Sequence, residues 1–203
     1  MIDAQPIVTA SVQYRIGALG YLHVPELGSA NRALHDQRNA LLWIQEFIGG
    51  FGGDSRNVTL FGESAGSISI CSQMLFAPPL SGPLFRRVVL MSGVLGASVA
   101  PEPVGDAEIV YERFLTKLGI EERGEAGLER LRGVDVEEIV RVTAEFTDGG
   151  AMFKTVQDAD WFGEDDELVT WDRFPEMIGR CEWVDEIVLG TTSYEVIDLL
   201  NYL

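Results

Sequence analysis

The chain has 203 residues and a mass of 22.3 kDa, which suffices for one buried core or for part of a larger domain. A hydrophobic fraction of 46% and a charged fraction of 23% are globular values, and they exclude intrinsic disorder, collagen and coiled coil. The net charge of −17 comes from residues 102–203, because residues 1–101 hold six acidic and six basic residues. We interpret the acidic half as solvated surface, whose field disfavours nucleic acid as a partner.

The sequence carries no sign of a membrane span, a cofactor or a metal. Its aliphatic runs, such as Val88–Met91, are far shorter than the roughly 20 residues that cross a bilayer, and residues 1–10 lack a signal-peptide pattern. Cys71 and Cys181 are too few for a disulfide framework, and we interpret them as free thiols, although a bridge between them stays open. We find no phosphate-binding glycine loop and no cluster with metal-ligand spacing, and therefore predict no cofactor and no metal.

Strand-like and helix-like segments alternate in the first hundred residues. Runs rich in Val, Ile and Thr predict buried strands, and apolar residues at helical spacing predict helices. The predicted strands are Pro6–Tyr14, Val58–Phe61 and Arg87–Met91, and the predicted helices are Ala33–Ile48 and Ala65–Phe76. On the first helix, Trp43 is expected to belong to the core. This order indicates an α/β fold with a parallel sheet and helices on its faces.

Predominantly helical patterns follow after about residue 100. Three predicted helices have acidic outer faces, and a short helix and one further central strand come after them. In chain order these segments are Asp106–Leu118, Ala126–Arg132, Val136–Phe146, Trp171–Gly179 and Glu186–Leu189, and Met152–Phe162 is ambiguous. The change near residue 100 fits a domain boundary, and it fits equally a helical excursion inside one sheet domain.

One motif carries chemistry. Residues 62–66 read GESAG, a G-x-S-x-G pattern set between a predicted strand and a predicted helix. That setting defines a nucleophile elbow, in which Ser64 takes a strained backbone conformation and its hydroxyl is held above the sheet edge. We expect side chains at positions 62 and 66 to collide, which explains glycine at both. The N–H of Ala65, at the helix N-terminus, would face a developing oxyanion.

Phe51-Gly52-Gly53 followed by residues 58–66 (VTLFGESAG) resembles the full serine-site signature of type-B carboxylesterases, a family that includes cholinesterases, esterases and lipases. Segments 14–21, 36–38, 43–45, 84–88 and 92–93 resemble the same family, so residues 6–98 are covered well and 99–203 only loosely. The resemblance implies an incomplete α/β-hydrolase domain over 1–203, with sheet core and elbow in 1–100, a helical excursion in 101–183, and a strand and acid loop in 184–203. It implies a small ester as substrate and an acyl-enzyme on Ser64.

The resemblance also implies an acid and a base for this serine. In the family the acid follows a strand a little over a hundred residues downstream, and Glu195, five residues after Gly190, takes that place here. Asp198 is the alternative. The family's histidine lies near the C-terminus, whereas His23 and His35 both precede Ser64 and match neither position nor order. The glycine-rich loop that supplies further oxyanion donors in the family is also unmatched.

The chain is therefore expected to be an internal fragment of a serine ester hydrolase, and by itself inactive. A non-catalytic protein with the same fold is the alternative. Two neighbours of the serine acquire supporting roles by the resemblance. Glu63 would be a buried carboxylate that organises the site, and Ser92 would support the acid from the end of the next strand. The following residues 94–98 contain no aromatic side chain, which favours a roomy acyl pocket.

Overall fold

A computed structural model describes residues 6–28, 30–76, 79, 81–95, 99–162, 169–170 and 172–193. Within these residues, eight α-helices and three β-strands are formed. Helices and strands alternate in the first half of the chain, and helices predominate in the second half. In chain order they are α1 Gly17–Tyr21, α2 Arg32–Phe47, β1 Thr59–Glu63, α3 Ala65–Leu75, β2 Arg87–Met91, α4 Val104–Lys117, α5 Gly124–Arg132, α6 Val136–Asp148, α7 Ala159–Phe162, α8 Phe174–Gly179 and β3 Glu186–Gly190. Two short 3-10 helices, Pro25–Leu27 and Ile48–Phe51, complete the described regular structure.

The chain forms two compact units. The sheet unit comprises residues 1–13, 37–96 and 171–203, and the helical unit comprises residues 14–36 and 97–170. Helix α2 contributes its first residues to the helical unit and the rest to the sheet unit. In sequence, most of the helical unit lies between β2 and β3.

The sheet unit is built on three parallel strands in the order β1-β2-β3. Thr59 of β1 lies opposite Arg87 of β2, and Arg87 in turn lies opposite Glu186 of β3. Because all three strands run the same way, their carboxyl ends meet at one edge of the sheet. This edge holds Glu63, Met91 and Gly190 at its last register positions.

Helix α3 covers β1 and β2, and α8 packs against α3. Alternate residues of β2, Val88 and Leu90, are buried, which is the period of a strand with one covered face. Ile70, Cys71 and Met74 of α3 supply the facing apolar surface. Phe85, just before β2, is also buried, and its ring lies 4.8 Å from that of Trp183.

The helical unit has its own closed core. Aromatic and aliphatic side chains of α1, α4 and α6 form one buried cluster, with members Ala18, Leu22, Tyr111, Phe114, Leu115, Ile120, Val142 and Phe146. Helix α6 illustrates why the segment is helical: Asp135 caps its N-terminus by accepting a hydrogen bond from the Glu137 N–H, and Ile139, Val142 and Phe146 fall on one stripe that faces the core. Outside this stripe, Arg141 forms ion pairs with Glu138 and Glu145.

A strand-like network fixes the last part of this unit. Asn31, fully buried, donates from its amide to Val156 O at 2.8 Å and accepts from Val156 N at 2.8 Å, so the side chain mimics a neighbouring strand. Glu102 makes the matching backbone pair on the other side. Asp158 receives a further hydrogen bond from the Asn31 amide at 2.9 Å.

The α/β architecture with a parallel sheet is confirmed, but two details of the sequence prediction are wrong. Residues 6–14, predicted as a strand, form none; they are mostly exposed, and no backbone-to-backbone hydrogen bond within the described residues joins them to a neighbour. A β-branched run needs such a partner to become a strand. Trp43 is not in the core: its ring is 46% exposed and lies 5.4 Å from Phe47 and 5.8 Å from Phe51.

Candidate active site

Ser64 occupies the turn between β1 and α3, at the carboxyl end of its strand. Its φ of 52° and ψ of −116° are outside the regions that non-glycine residues favour, and such strain costs on the order of 1–3 kcal/mol. Backbone hydrogen bonds hold the conformation: the Ser64 N–H donates to Met91 O at 2.9 Å, and Ser64 O accepts from Ile68 N at 3.0 Å. The residue is exposed, and no described side chain hydrogen-bonds to its hydroxyl.

The two glycines that flank the serine are not equivalent. A Cβ at Gly62 would lie 2.6 Å from the carbonyl carbon of Gly66 and 2.9 Å from the Ser67 nitrogen, so the close approach of strand and helix requires glycine there. A Cβ at Gly66 would meet nothing within 4 Å. The predicted collision is therefore correct at Gly62 and wrong at Gly66, because only the former faces the opposing backbone.

The residues after β2 lie directly against the serine. Ser92 also has a positive φ, of 54°, and its N–H donates to Gly190 O of the β3 end at 2.8 Å. A Cβ at Gly93 would fall 2.7 Å from Ser64 O, so the two backbones are in contact. The buried hydroxyl of Ser67, on the first turn of α3, donates to Gly93 O. The carboxyl ends of β2 and β3, the turn at Ser64 and the residues after β2 are thus joined by backbone hydrogen bonds and contacts.

Ala65 is the first residue of α3, where the backbone N–H groups of a helix have no partner within the helix. Its exposed position next to Ser64 leaves this donor at the N-terminus of an 11-residue helix, whose dipole favours negative charge nearby. The arrangement can stabilise an anion that forms beside the serine hydroxyl.

Glu63 differs from the expectation for it. Its side chain is exposed rather than buried, because it lies on the same face of β1 as Thr59 and Phe61, and that face is exposed. No ion pair or hydrogen bond of this carboxylate is formed within the part of the chain that the structure describes.

The proposed acid falls outside the described residues, as does its alternative: Glu195 and Asp198 both lie in 194–203. The strand before them is present, since β3 ends at Gly190 as predicted within one residue. The acid assignment stays a prediction. The same applies to residues 96–98 of the loop that follows Gly93, of which Val94 and the buried Leu95 are described.

Both histidines, His23 and His35, belong to the helical unit, where each is surrounded by different residues. The His35 ring packs edge-on against Trp161 with 5.0 Å between centroids, and its Nε2 is 3.7 Å from Asp160. His23 is buried, and burial lowers its pKa although Glu108, Asp158 and Glu26 act in the opposite direction. The Nδ1 atom of His23 has no hydrogen-bond partner among the described residues.

The contacts of three residues in this region were not predicted, namely those of Gly93, Ser67 and Cys71. Gly93 carried a signal, since it lies two residues past the end of β2 and glycine is used where a close backbone approach leaves no room for a side chain. Ser67 and Cys71 carried none, because small polar residues on a helix are common and their partners are more than twenty residues away. Cys71 is buried and Cys181 half-buried, and both are free thiols.

A parallel sheet whose strand delivers a strained, exposed serine to the N-terminus of the next helix defines the α/β-hydrolase class. Solved structures agree: a carboxylesterase of Geobacillus stearothermophilus superposes with a TM-score of 0.73 at 30% identity, over 93% of this chain and 38% of that one. A thermophilic PNB esterase gives a TM-score of 0.72 at 28% identity, over 89% of this chain and 36% of that one.

Sequence comparison identifies the family. Residues 1–201 match the carboxylesterase family, and the chain belongs to it. Lipase 4 of Diutina rugosa is 32% identical over 198 residues, which cover 93% of this chain and 35% of the lipase. The cholinesterase of Mus musculus is 40% identical over 141 residues, covering 66% of this chain and 23% of that protein. The matches therefore span about a third of the length of the lipase and about a quarter of that of the cholinesterase.

Two further properties bear on partners. Among the helices that the structure describes, none is long and apolar enough to span a membrane. Within the same residues, no group of three or more His, Cys, Asp or Glu side chains is arranged to hold a metal ion.

Proposed function

We propose that this chain carries the nucleophile of a serine carboxylic-ester hydrolase, with Ser64 attacking the ester carbonyl and forming an acyl-enzyme. The observation that carries the proposal is the strained conformation of Ser64 between β1 and α3. Membership of the carboxylesterase family, and the lipase and cholinesterase names of its relatives, support an ester as the substrate class.

Each neighbour of Ser64 has a role in this mechanism. The Ala65 N–H would donate to the oxyanion of the tetrahedral intermediate, and Glu195 would orient a histidine base as the triad acid. The base itself is expected to come from a histidine other than His23 and His35, supplied by sequence beyond these 203 residues. It would take the proton of the Ser64 hydroxyl and pass it to the leaving alcohol; water then releases the acid.

Active-site labelling tests the proposal. A fluorophosphonate probe reacts only with an activated serine, so a longer form of the protein that supplies the base should be labelled, and Ser64→Ala should abolish the labelling. The matched control is Ser69→Ala, a buried serine on the same helix, which should leave labelling intact. Labelling that survives Ser64→Ala, or fails to appear in a longer form with a histidine, would contradict the proposal.

The 203-residue chain alone should hydrolyse a short-chain nitrophenyl ester no faster than buffer. Loss of the base removes several orders of magnitude in rate, and loss of an oxyanion donor about another 100- to 1,000-fold. Turnover by the purified chain that Ser64→Ala abolishes would show that the base lies within it. A longer form that is folded and inactive would favour the non-catalytic alternative.

A further inference from the structure

We propose that Ser67 is a positioning residue for the nucleophile: its hydroxyl fastens Gly93 against the backbone of Ser64. This deepens the function proposed above. The starting observation is that two of the three described non-glycine residues with positive φ, Ser64 and Ser92, lie at this sheet edge. Strained residues persist only where the surrounding structure holds them, so the contacts around them are the ones to identify.

The first of these contacts is between backbones. Gly93 approaches Ser64 so closely that a Cβ on it would lie 2.7 Å from Ser64 O and 3.2 Å from Ser64 Cα. A segment in this position limits the ways in which the turn at Ser64 can relax. The segment around Gly93 constrains the turn at Ser64 only if it is itself held in place, because a loop that is free to move away exerts no constraint.

Helix α3 holds the segment at two points. The Ser67 hydroxyl donates to Gly93 O, and one turn further along the helix the Cys71 thiol lies near the Leu95 backbone, which lowers the pKa of the thiol against the larger opposite effect of burial. Residues four apart share one helix face, so both anchors meet the same extended stretch of chain. Ser67, Cys71 and Leu95 are all buried, which protects the hydrogen bond of Ser67 from competition with water and shields the Cys71–Leu95 contact from solvent.

The two anchors have different consequences for the serine. Ser67 acts on Gly93, which contacts Ser64, whereas Cys71 acts two residues later on Leu95. Ser72 offers a comparison on the same helix: it is equally buried, but its hydroxyl donates within the helix to Ile68 O at 3.1 Å. Removing the Ser67 hydroxyl should therefore loosen the elbow, and removing the other two groups should not.

The experiment compares Ser67→Ala with Cys71→Ala and Ser72→Ala in the 203-residue chain, using amide hydrogen exchange of peptides from residues 62–68 and 91–95. Loss of one buried hydrogen bond corresponds to about tenfold faster exchange. We expect this increase in both peptides for Ser67→Ala, in the 91–95 peptide alone for Cys71→Ala, and in neither for Ser72→Ala. Peptides from α4 and α6 should be unchanged throughout, which excludes general unfolding.

The rate of fluorophosphonate labelling, in a longer form that is labelled, supplies the functional readout. It should fall several-fold in Ser67→Ala and stay within twofold in the other two variants. If the amide hydrogens of residues 62–68 exchange at the same rate in Ser67→Ala as in Ser72→Ala, the proposal is overturned. If Ser67→Ala fails to fold, Ser67→Cys keeps the volume while weakening the donor, and the same expectations apply. If no form is labelled, the proposed function fails while exchange still decides the role of Ser67.

Discussion

The two units differ in how many of their aromatic side chains they bury. In the helical unit the aromatic rings of Tyr111, Phe114 and Phe146 are packed inside one cluster, and ion pairs occupy the outer faces of its helices. In the sheet unit the rings of Trp43 and Phe61 are 46% and 63% exposed, and every residue of β3 faces solvent. Both outer strands of the described sheet also lack a neighbour on one side.

This difference separates a unit with a closed core from a sheet whose aromatic side chains are partly exposed. Helices α4 and α6 form a closed core together with α1, which comes from near the start of the chain. The sheet unit places its serine by contacts between segments far apart in sequence, and leaves apolar surface that suits further packing. Changes in the helical core should therefore cost the most stability, and changes at the sheet edge should alter positioning and association.

The largest effect is expected from Phe114→Ala. Phe114 is fully buried and its ring lies 5.6 Å from that of Phe146 and 5.9 Å from that of Phe153. Truncation leaves a cavity in the core of the helical unit and should lower the free energy of unfolding by about 3–5 kcal/mol, measured by urea denaturation. Val140→Ala, at an exposed position on α6, should stay within about 0.5 kcal/mol. Similar losses for the two variants would contradict a closed core.

Gly62→Ala and Gly66→Ala form a matched pair in the sheet unit. The added methyl at position 62 meets the backbone of Gly66 and should cost about 1–3 kcal/mol by overpacking. At position 66 it meets open space within α3 and should be neutral or stabilising by up to about 1 kcal/mol, because alanine favours helices. Denaturant midpoints measure both. Equal losses at the two positions would mean that the elbow tolerates no side chain on either flank.

The buried His23 should make the free energy of unfolding of the helical unit depend on pH. Its folded-state pKa is below the unfolded value of about 6.5, so the unfolded state binds the proton first. The stabilisation is full above pH 6.5 and is lost as pH falls toward the folded pKa, with a slope of at most about 1.4 kcal/mol per pH unit. Unfolding followed between pH 8 and pH 5 measures the slope. His23→Gln should flatten it and His35→Gln should not; an unchanged slope in His23→Gln would contradict the assignment.

The smallest effect on stability is expected from Leu189→Lys at the edge strand β3. Leu189 is 66% exposed, so the change should alter the free energy of unfolding by less than about 0.5 kcal/mol. Self-association of the chain should nevertheless fall, because a lysine blunts an apolar sheet edge. Light scattering at increasing protein concentration measures this. Val140→Lys on the helical unit is the control, and equal effects of both variants would remove the contrast between the units.

Much of this architecture was predictable because its signals are local. Strand β2 was predicted at its observed bounds, and α3 to within one residue, since their patterns of buried residues are those of a strand and a helix. The turn at Ser64 was predictable from the G-x-S-x-G pattern between a predicted strand and a predicted helix, although only Gly62 of its two glycines is required by close contact. The exposure of Glu63 and the irregular chain at residues 6–14 were not predictable. The first depends on what packs over one face of β1, and the second on whether another strand pairs alongside.

The contacts of Ser67 and Cys71 belong to the same non-local class. Each hydroxyl or thiol meets a backbone group more than twenty residues later, and no periodicity encodes such a meeting. Asn31 is a further case, since its side chain pairs with Val156 across 125 residues. Sequence patterns thus locate the chemistry of this chain more readily than the contacts that hold it in place.

The register of β3 on β2 determines how late during synthesis the sheet can be completed. Arg87 lies opposite Glu186, so about 100 residues of chain, most of them the helical unit, must leave the ribosome between the two partners. At roughly 5–20 residues per second that interval lasts about 5–20 s, which is long compared with the folding of a small helical domain. Prior folding of the inserted helices shortens the loop that β3 has to close and lowers its entropic cost. The arrangement around Ser64 is then a late event of biosynthesis, completed only when β3 arrives.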